Sequence, residues 1–279
     1  MADPQNTWGD PAASRQPGVR LAVTPNRPRS SYFDSPLPRL LAHRGLATGA
    51  TENTLGALRA AVDAGATYIE LDVHASSDGE AIVAHDADLT RLVGRPDTIA
   101  GLTAKQLAEL DLGDGSGFAT LGEVLTALPE ARINIDVKAA AAAAPAAQAI
   151  LGADAIGRVL VTSFSGRRRR SAVRRLSGVA TSASAGGFLV ALVAAKLGMR
   201  PLVKFALRDV DAVQVPVRAA GLTVASARVV QSIHAAGVEV HIWTVNDPLQ
   251  MASLLDLGVD GIVTDRIDIA LGLVENRSR

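Results

Sequence analysis

The sequence contains no cysteine, so it forms no disulfides and offers no thiolate as nucleophile or metal ligand. That fits a reducing compartment, and a cytoplasmic location is the expectation. Net charge is the second absence. The 28 lysines and arginines balance 28 aspartates and glutamates, so the molecule lacks the overall positive field with which proteins hold nucleic acid or anionic membranes nonspecifically. A small or zwitterionic ligand is the natural partner, and no nucleic-acid partner is expected. A long apolar run is the third. The longest weakly charged stretch, Val179 to Ala195, is interrupted by Ser182, Ser184, Gly186 and Gly187 and ends at Lys196. It falls short of the roughly 20 apolar residues that span a bilayer, so no transmembrane segment is expected there, only a strand followed by a helix.

Residues 1 to 37 contain Pro4, Pro11, Pro17, Pro25 and Pro28 among polar and arginine positions and lack the apolar core of a secretory signal. They read as a disordered leader before a domain over 38 to 279. In that domain, short apolar runs alternate with alanine-rich segments whose leucines recur at helical spacing. Strands are predicted near 39 to 43, 67 to 73, 132 to 138, 158 to 164, 178 to 183, 211 to 216, 238 to 245 and 260 to 264. Helices are predicted near 54 to 64, 139 to 151, 166 to 177, 187 to 198, 225 to 236, 248 to 257 and 267 to 274. This is the α/β pattern of a TIM (β/α)8 barrel, and the 279-residue length suits one such unit. Asp78-Gly79 is a hairpin signal, and the link from Val73 to Ala81 is too short for a helical crossover. A β-hairpin and a short helical insertion are therefore expected after the second strand, with helices at Thr103 to Asp111 and Leu121 to Leu128 capped by Thr103 and Thr120.

Alternate side chains of a strand share a face, which puts Tyr68, Glu70, Asp72 and His74 on one side and Ile69, Leu71 and Val73 on the other. Inward groups at the C-terminal ends of barrel strands meet at the mouth. Two carboxylates side by side there repel unless a cation holds them, and a hard divalent metal with oxygen ligands is the economical explanation. The third strand repeats the pattern with Asn134, Asp136 and Lys138: Asp136 is a candidate third carboxylate, and Lys138 a point charge for a phosphate oxygen. Centring a two-residue turn on Asp78-Gly79 pairs Ser77 with Glu80, His74 with Val83 and Asp72 with His85, which carries His85 to the carboxylates. His43 ends the first strand, and Arg44 beside it offers a bidentate fork to phosphate.

At these residues the sequence resembles the glycerophosphodiester phosphodiesterase family. The matching stretches are His43-Arg44-Gly45, Glu52-Asn53-Thr54, Ile69-Glu70-Leu71-Asp72-Val73, Asp78-Gly79, His85-Asp86, Asn134-Ile135-Asp136-Val137-Lys138, Trp243-Thr244-Val245-Asn246 and the run from Gly258 to Asp265. Each is short, but together they stand in family order across nearly the whole folded part. The resemblance implies a TIM barrel that hydrolyses glycerophosphodiesters to glycerol 3-phosphate and an alcohol, within lipid and glycerol metabolism. It implies one bound Mg²⁺ or Ca²⁺ on Glu70, Asp72 and Asp136, with His43 and His85 as the acid–base pair and Arg44 and Lys138 on the substrate phosphate. Many relatives carry Glu where this chain has Asp136, one methylene shorter. The attacking group is either water or the glycerol hydroxyl beside the ester.

Other residues have plainer readings. Asn53 is expected as a helix N-cap, Trp243 either lines the pocket or packs in the core, His74 is unassigned, and His234 and His241 look structural. The run Arg167 to Arg170, with Arg174 and Arg175, is expected to be the solvated face of an outer helix. Two other functions fit less completely: a phospholipase D-like enzyme acting on intact lipid headgroups, and a barrel that binds a glycerophosphate without turnover. The oligomeric state is open.

Overall fold

The computed structural model describes residues 30–113, 115–219 and 222–278. Its strands are β1 (Arg39–His43), β2 (Tyr68–Ala75), β3 (Ala81–Val83), β4 (Arg132–Val137), β5 (Val159–Thr162), β6 (Ala180–Thr181), β7 (Ala212–Pro216), β8 (Arg218–Ala219), β9 (Leu222–Thr223), β10 (Glu239–Trp243) and β11 (Gly261–Thr264). Eight of them stand parallel in the order β6-β5-β4-β2-β1-β11-β10-β7 and form a TIM barrel. The seam between β6 and β7 is joined by the parallel bridge of Ser182 to Ala212 and by the Ala183 N–H donating to the Ala212 carbonyl at 2.9 Å. All eight predicted barrel strands are present.

The helices are α1 (Leu55–Asp63), α2 (Thr90–Val93), α3 (Ala104–Ala108), α4 (Leu121–Ala127), α5 (Ala143–Gly152), α6 (Gly166–Val173), α7 (Ala185–Lys196), α8 (Arg200–Ala206), α9 (Ala227–His234), α10 (Pro248–Leu257) and α11 (Ile267–Ser278). The outward aliphatics of the strands, such as Ile69, Leu71 and Val73, are buried beneath them. Thr103 and Thr120 cap α3 and α4 in full capping boxes with Gln106 and Glu123. Helices α2 and α8 were not anticipated. For α8 a signal was present, since Gly198 stops α7 at φ 75° and Pro201 opens the new helix.

The hairpin β2–β3 forms, but its register differs by one from the expected one. Val73 pairs with Val83, His74 with Ile82 and Ala75 with Ala81. The cause is the turn. Gly79 sits at φ 87°, and the Ser76 hydroxyl accepts from the Glu80 N–H at 2.9 Å while donating to Asp78 Oδ1 at 2.6 Å. A three-residue loop with one left-handed glycine replaces the two-residue turn, and the Asp72 backbone carbonyl accepts from the Ala84 N–H at 3.0 Å, so that Asp72 is not paired with His85.

Part of the expected leader, residues 30 to 37, packs against the barrel floor; residues 1 to 29 lie outside the described residues. Tyr32 and Phe33 are buried beside Tyr68, Leu160 and Val263 in the barrel interior. Arg39, at 1% exposure, is held by Glu239 through Nε at 2.7 Å and Nη2 at 2.9 Å, by the Tyr68 hydroxyl at 2.7 Å and by the Phe33 carbonyl at 3.0 Å. Two aromatic residues and a matched ion pair thus close the end opposite the mouth.

Candidate active site

The strand alternation read from the sequence holds in space. A cavity of about 450 Å³ at the C-terminal ends of the strands is lined by His43, Arg44, Glu70, Asp72, His85, Asn134, Asp136, Lys138 and Trp243. Every candidate site residue therefore faces one space. The turn after β1 is sterically specific: Gly45 has φ 90°, and a Cβ there would meet the Ala57 carbonyl at 2.6 Å. Only glycine lets α1 come this close to His43.

Each histidine is tied through Nδ1 to a carboxylate. His43 Nδ1 lies 2.6 Å from Asp265 Oδ1, and His85 Nδ1 lies 2.7 Å from Asp86 Oδ1. If the shared proton sits on Nδ1, Nε2 is left for the cavity in both rings; His43 Nε2 is 3.9 Å from Glu70 Oε2. The supports are themselves fixed. Asp265 Oδ2 accepts from the Asn246 amide at 2.7 Å, and Asp86 Oδ2 accepts from Arg91 Nε at 2.6 Å. The His43 hydrogen bond, with Asn246, holds the Asp265 carboxyl below the usual range despite partial burial. Partial burial pushes Asp86 upward, but the hydrogen bonds of Arg91 and His85 outweigh it and keep the carboxyl low.

The carboxylates form the other half of the site. Lys138 Nζ bridges Asp72 Oδ1 and Asp136 Oδ2, both at 2.8 Å. Arg44 Nε stands 3.2 Å from Asp72 Oδ2, and its Nη1 donates to Glu52 at 2.9 Å. Burial, then the charges of Asp72 and Asp136, pushes the Glu70 carboxyl well above its ordinary range, and burial likewise raises Asp136 against the pull of Lys138. Burial opposes the Lys138 charge, but Asp72 and Asp136 prevail and raise its pKa. Glu70 Oε2 and Asp136 Oδ1 are buried with no hydrogen-bond partner among the described residues.

Those unmatched oxygens are the test of a metal site. Buried carboxylate oxygens that nothing donates to suit a hard divalent cation in chemistry and in charge. As the side chains stand, no three His, Asp or Glu groups among the described residues are spaced to enclose an ion, and Lys138 lies between two of the acids. The donor set fits; the ammonium group and an ion would share the same carboxylates.

Several plainer readings change. The N-cap of α1 is Thr54, whose hydroxyl accepts from the Ala57 N–H at 3.2 Å, and not Asn53. Asn53 instead takes φ 59° and donates its amide to Asp72 Oδ2 at 3.1 Å. His74 is buried in the hairpin with Nε2 3.1 Å from the His85 carbonyl oxygen, and burial lowers its pKa. His234 and His241 are structural, paired with Asp260 at 2.7 Å and Glu239 at 3.0 Å. Trp243 borders the cavity edge-on to Phe164, ring centroids 5.9 Å apart. Of the arginine run, Arg167, Arg170, Arg174 and Arg175 are exposed, whereas Arg168 bonds the Lys138 carbonyl and Ser163, and Arg169 bonds Thr181. Asp265 and Asp86, which hold the two histidines, are not among the site residues that the sequence singles out. The signal was there: Asp265 follows a barrel strand at its mouth end, and Asp86 adjoins His85.

The Glycerophosphoryl diester phosphodiesterase family model matches residues 43–269. The chain is 44% identical over 231 residues to a "Probable glycerophosphodiester phosphodiesterase 2" of Mycobacterium tuberculosis, covering 82% of this chain and 88% of that one. It is 26% identical to a glycerophosphodiester phosphodiesterase of Caldanaerobacter subterraneus, covering 84% and 97%. Among solved structures, that of the Thermotoga maritima glycerophosphodiester phosphodiesterase superposes with a TM-score of 0.67 at 28% identity, over 86% of this chain and 99% of the other.

Proposed function

The chain belongs to the glycerophosphoryl diester phosphodiesterase family and is a phosphoric diester hydrolase of glycerophosphodiesters; from that premise we propose that His43 and His85 are its acid–base pair and that one divalent cation, Mg²⁺ or Ca²⁺, is held by Glu70, Asp72 and Asp136. The products are glycerol 3-phosphate and the alcohol. The observation that carries this reading is the paired support of the histidines, each with Nδ1 bound to a carboxylate beside one cavity.

A general base must accept the proton of the attacking hydroxyl, and a general acid must protonate the departing oxygen. Two imidazoles in one cavity, each oriented through Nδ1 by an aspartate, can do both. Arg44 and Lys138 supply positive charge to the phosphate; Glu52 and Asp72 hold the first, Asp72 and Asp136 the second. A cation bound at Glu70, Asp72 and Asp136 supplies neutralisation of the charge that develops on phosphoryl oxygen.

The test is an assay of purified protein on glycerophosphocholine, glycerophosphoethanolamine and glycerophosphoinositol, stripped with EDTA and then given Mg²⁺, Ca²⁺ or Mn²⁺. Release of glycerol 3-phosphate that stops with EDTA and returns with a cation is expected. Full activity in EDTA would remove the metal from the reading, and no product under any condition would remove the substrate class.

A further inference from the structure

The neutral total charge hides a strong local asymmetry. From Ala155 to Arg208 the chain has eleven lysines and arginines and no aspartate or glutamate. This stretch builds α6, α7 and α8, neighbours in the outer ring. Helix α7 is apolar on every side. Phe188, Ala191, Leu192, Ala194 and Ala195 pack inward, while Leu189, Val190, Val193 and Leu197, three and four residues apart, stay 45–69% exposed on the outer face. Phe205 on α8 is 62% exposed. Basic rows flank this stripe, with Arg167, Arg170 and Arg174 exposed along α6 and Arg200 and Lys204 along α8.

An exposed apolar strip rimmed by charge of one sign marks a docking surface, and its chemistry selects among occupants. A second copy meeting this face across a two-fold axis would set the basic rows against each other with only Asp209, already paired with Arg208, beside them. Nucleic acid would match the charge but not an aliphatic stripe, since bases stack on aromatic rings. A bilayer with anionic headgroups matches both. We propose that the outer face of α6, α7 and α8 seats the protein peripherally on an anionic lipid bilayer, aliphatic side chains in the interface and the basic rows on lipid phosphates. The contact is peripheral because no helix among the described residues is long and apolar enough to cross a membrane. Leu189 belongs to the stripe and also lines the catalytic cavity, as does the 56% exposed Phe164. Docking therefore turns that edge of the mouth toward the lipid surface.

The experiment is co-sedimentation of the full chain with vesicles of phosphatidylcholine alone or mixed with phosphatidylglycerol, using wild type, Val193→Glu/Leu197→Glu and Arg200→Glu/Lys204→Glu. Both substituted pairs are exposed and outside the catalytic cavity, so circular dichroism and hydrolysis of soluble glycerophosphocholine should be unchanged. Binding to the anionic vesicles is expected, with each pair weakening it about tenfold or more and added salt weakening wild type. No binding by wild type would overturn the proposal, as would binding indifferent to Val193→Glu/Leu197→Glu. A dimer in analytical ultracentrifugation that the apolar pair splits would assign the face to a second copy instead. Vesicle binding needs no turnover, so failure of the catalytic reading leaves this test standing.

Discussion

Both ends of the barrel interior carry buried charge, but only the floor balances it locally. There, Arg39 meets Glu239 in a two-pronged pair, the Tyr68 hydroxyl and backbone carbonyls take its remaining protons, and His241 adds a contact to Glu239. At the mouth, Glu70, Asp72 and Asp136 face Arg44 and Lys138, and two carboxylate oxygens receive no hydrogen bond among the described residues. The same residue types serve stability where each is matched, and chemistry where the match is left incomplete. The floor has little left to offer a ligand; the mouth has donors, acceptors and raised carboxyl pKa values.

The contrast is broken most directly at the histidines. His43→Ala and His85→Ala should each lower kcat by roughly a hundredfold or more with nearly unchanged thermal unfolding; near-normal turnover in both would move the catalytic centre elsewhere. The floor should answer in the opposite way. Arg39→Ala leaves Glu239 buried without its cation and should cost about 3–5 kcal/mol of stability in denaturant melts, while kcat below the melting transition stays close to wild type. A large fall in kcat of the folded variant would mean that the two ends are coupled.

Smaller effects sharpen the comparison. Asp265→Asn keeps the size of the group that orients His43 but removes its charge, so kcat should drop on the order of tenfold with little change in KM, and the pH–rate profile should shift. An unaltered profile would reduce Asp265 to a structural role. The smallest effect concerns pH and stability without metal. Burial raises the folded-state pKa of Glu70 above its unfolded value, so the folded form binds more protons between the two, and stability falls as pH rises through that window. Glu70→Gln should abolish that part of the loss, measured as the difference in unfolding free energy between acidic and neutral pH. A variant as pH-sensitive as wild type would place the titration on another group.

Much of this was readable in the chain. Period-two alternation put Glu70 and Asp72 on one face, and that face lines the cavity. The order of βα segments specified the barrel, and threonine three residues before Gln106 or Glu123 specified two helix starts. The readings that changed depend on backbone geometry that composition does not show. Asn53 stands one residue before the helix expected at 54 to 64, as an N-cap would; its left-handed φ turns the amide to Asp72, and the helix starts at Leu55 with Thr54 as its cap. One glycine at positive φ converted a two-residue hairpin into a three-residue one and moved the whole β2–β3 register. Tyr32 and Phe33 sit next to a proline-rich stretch, and nothing local marks them as the barrel floor.

The sequence by itself determined the periodicity of the elements and the kinds of groups at the strand ends, because side-chain alternation and helix spacing are local properties of the backbone. Tertiary structure alone decided the partnerships: Asp265 with His43 across 222 positions, Arg39 with Glu239 across 200, and Lys138 between two acids from neighbouring strands. Such contacts are set by barrel closure, which brings together strand ends that no local pattern relates. Closure also leaves the apolar face of α7 outward, where the chain's neutral total charge had suggested no surface attraction at all.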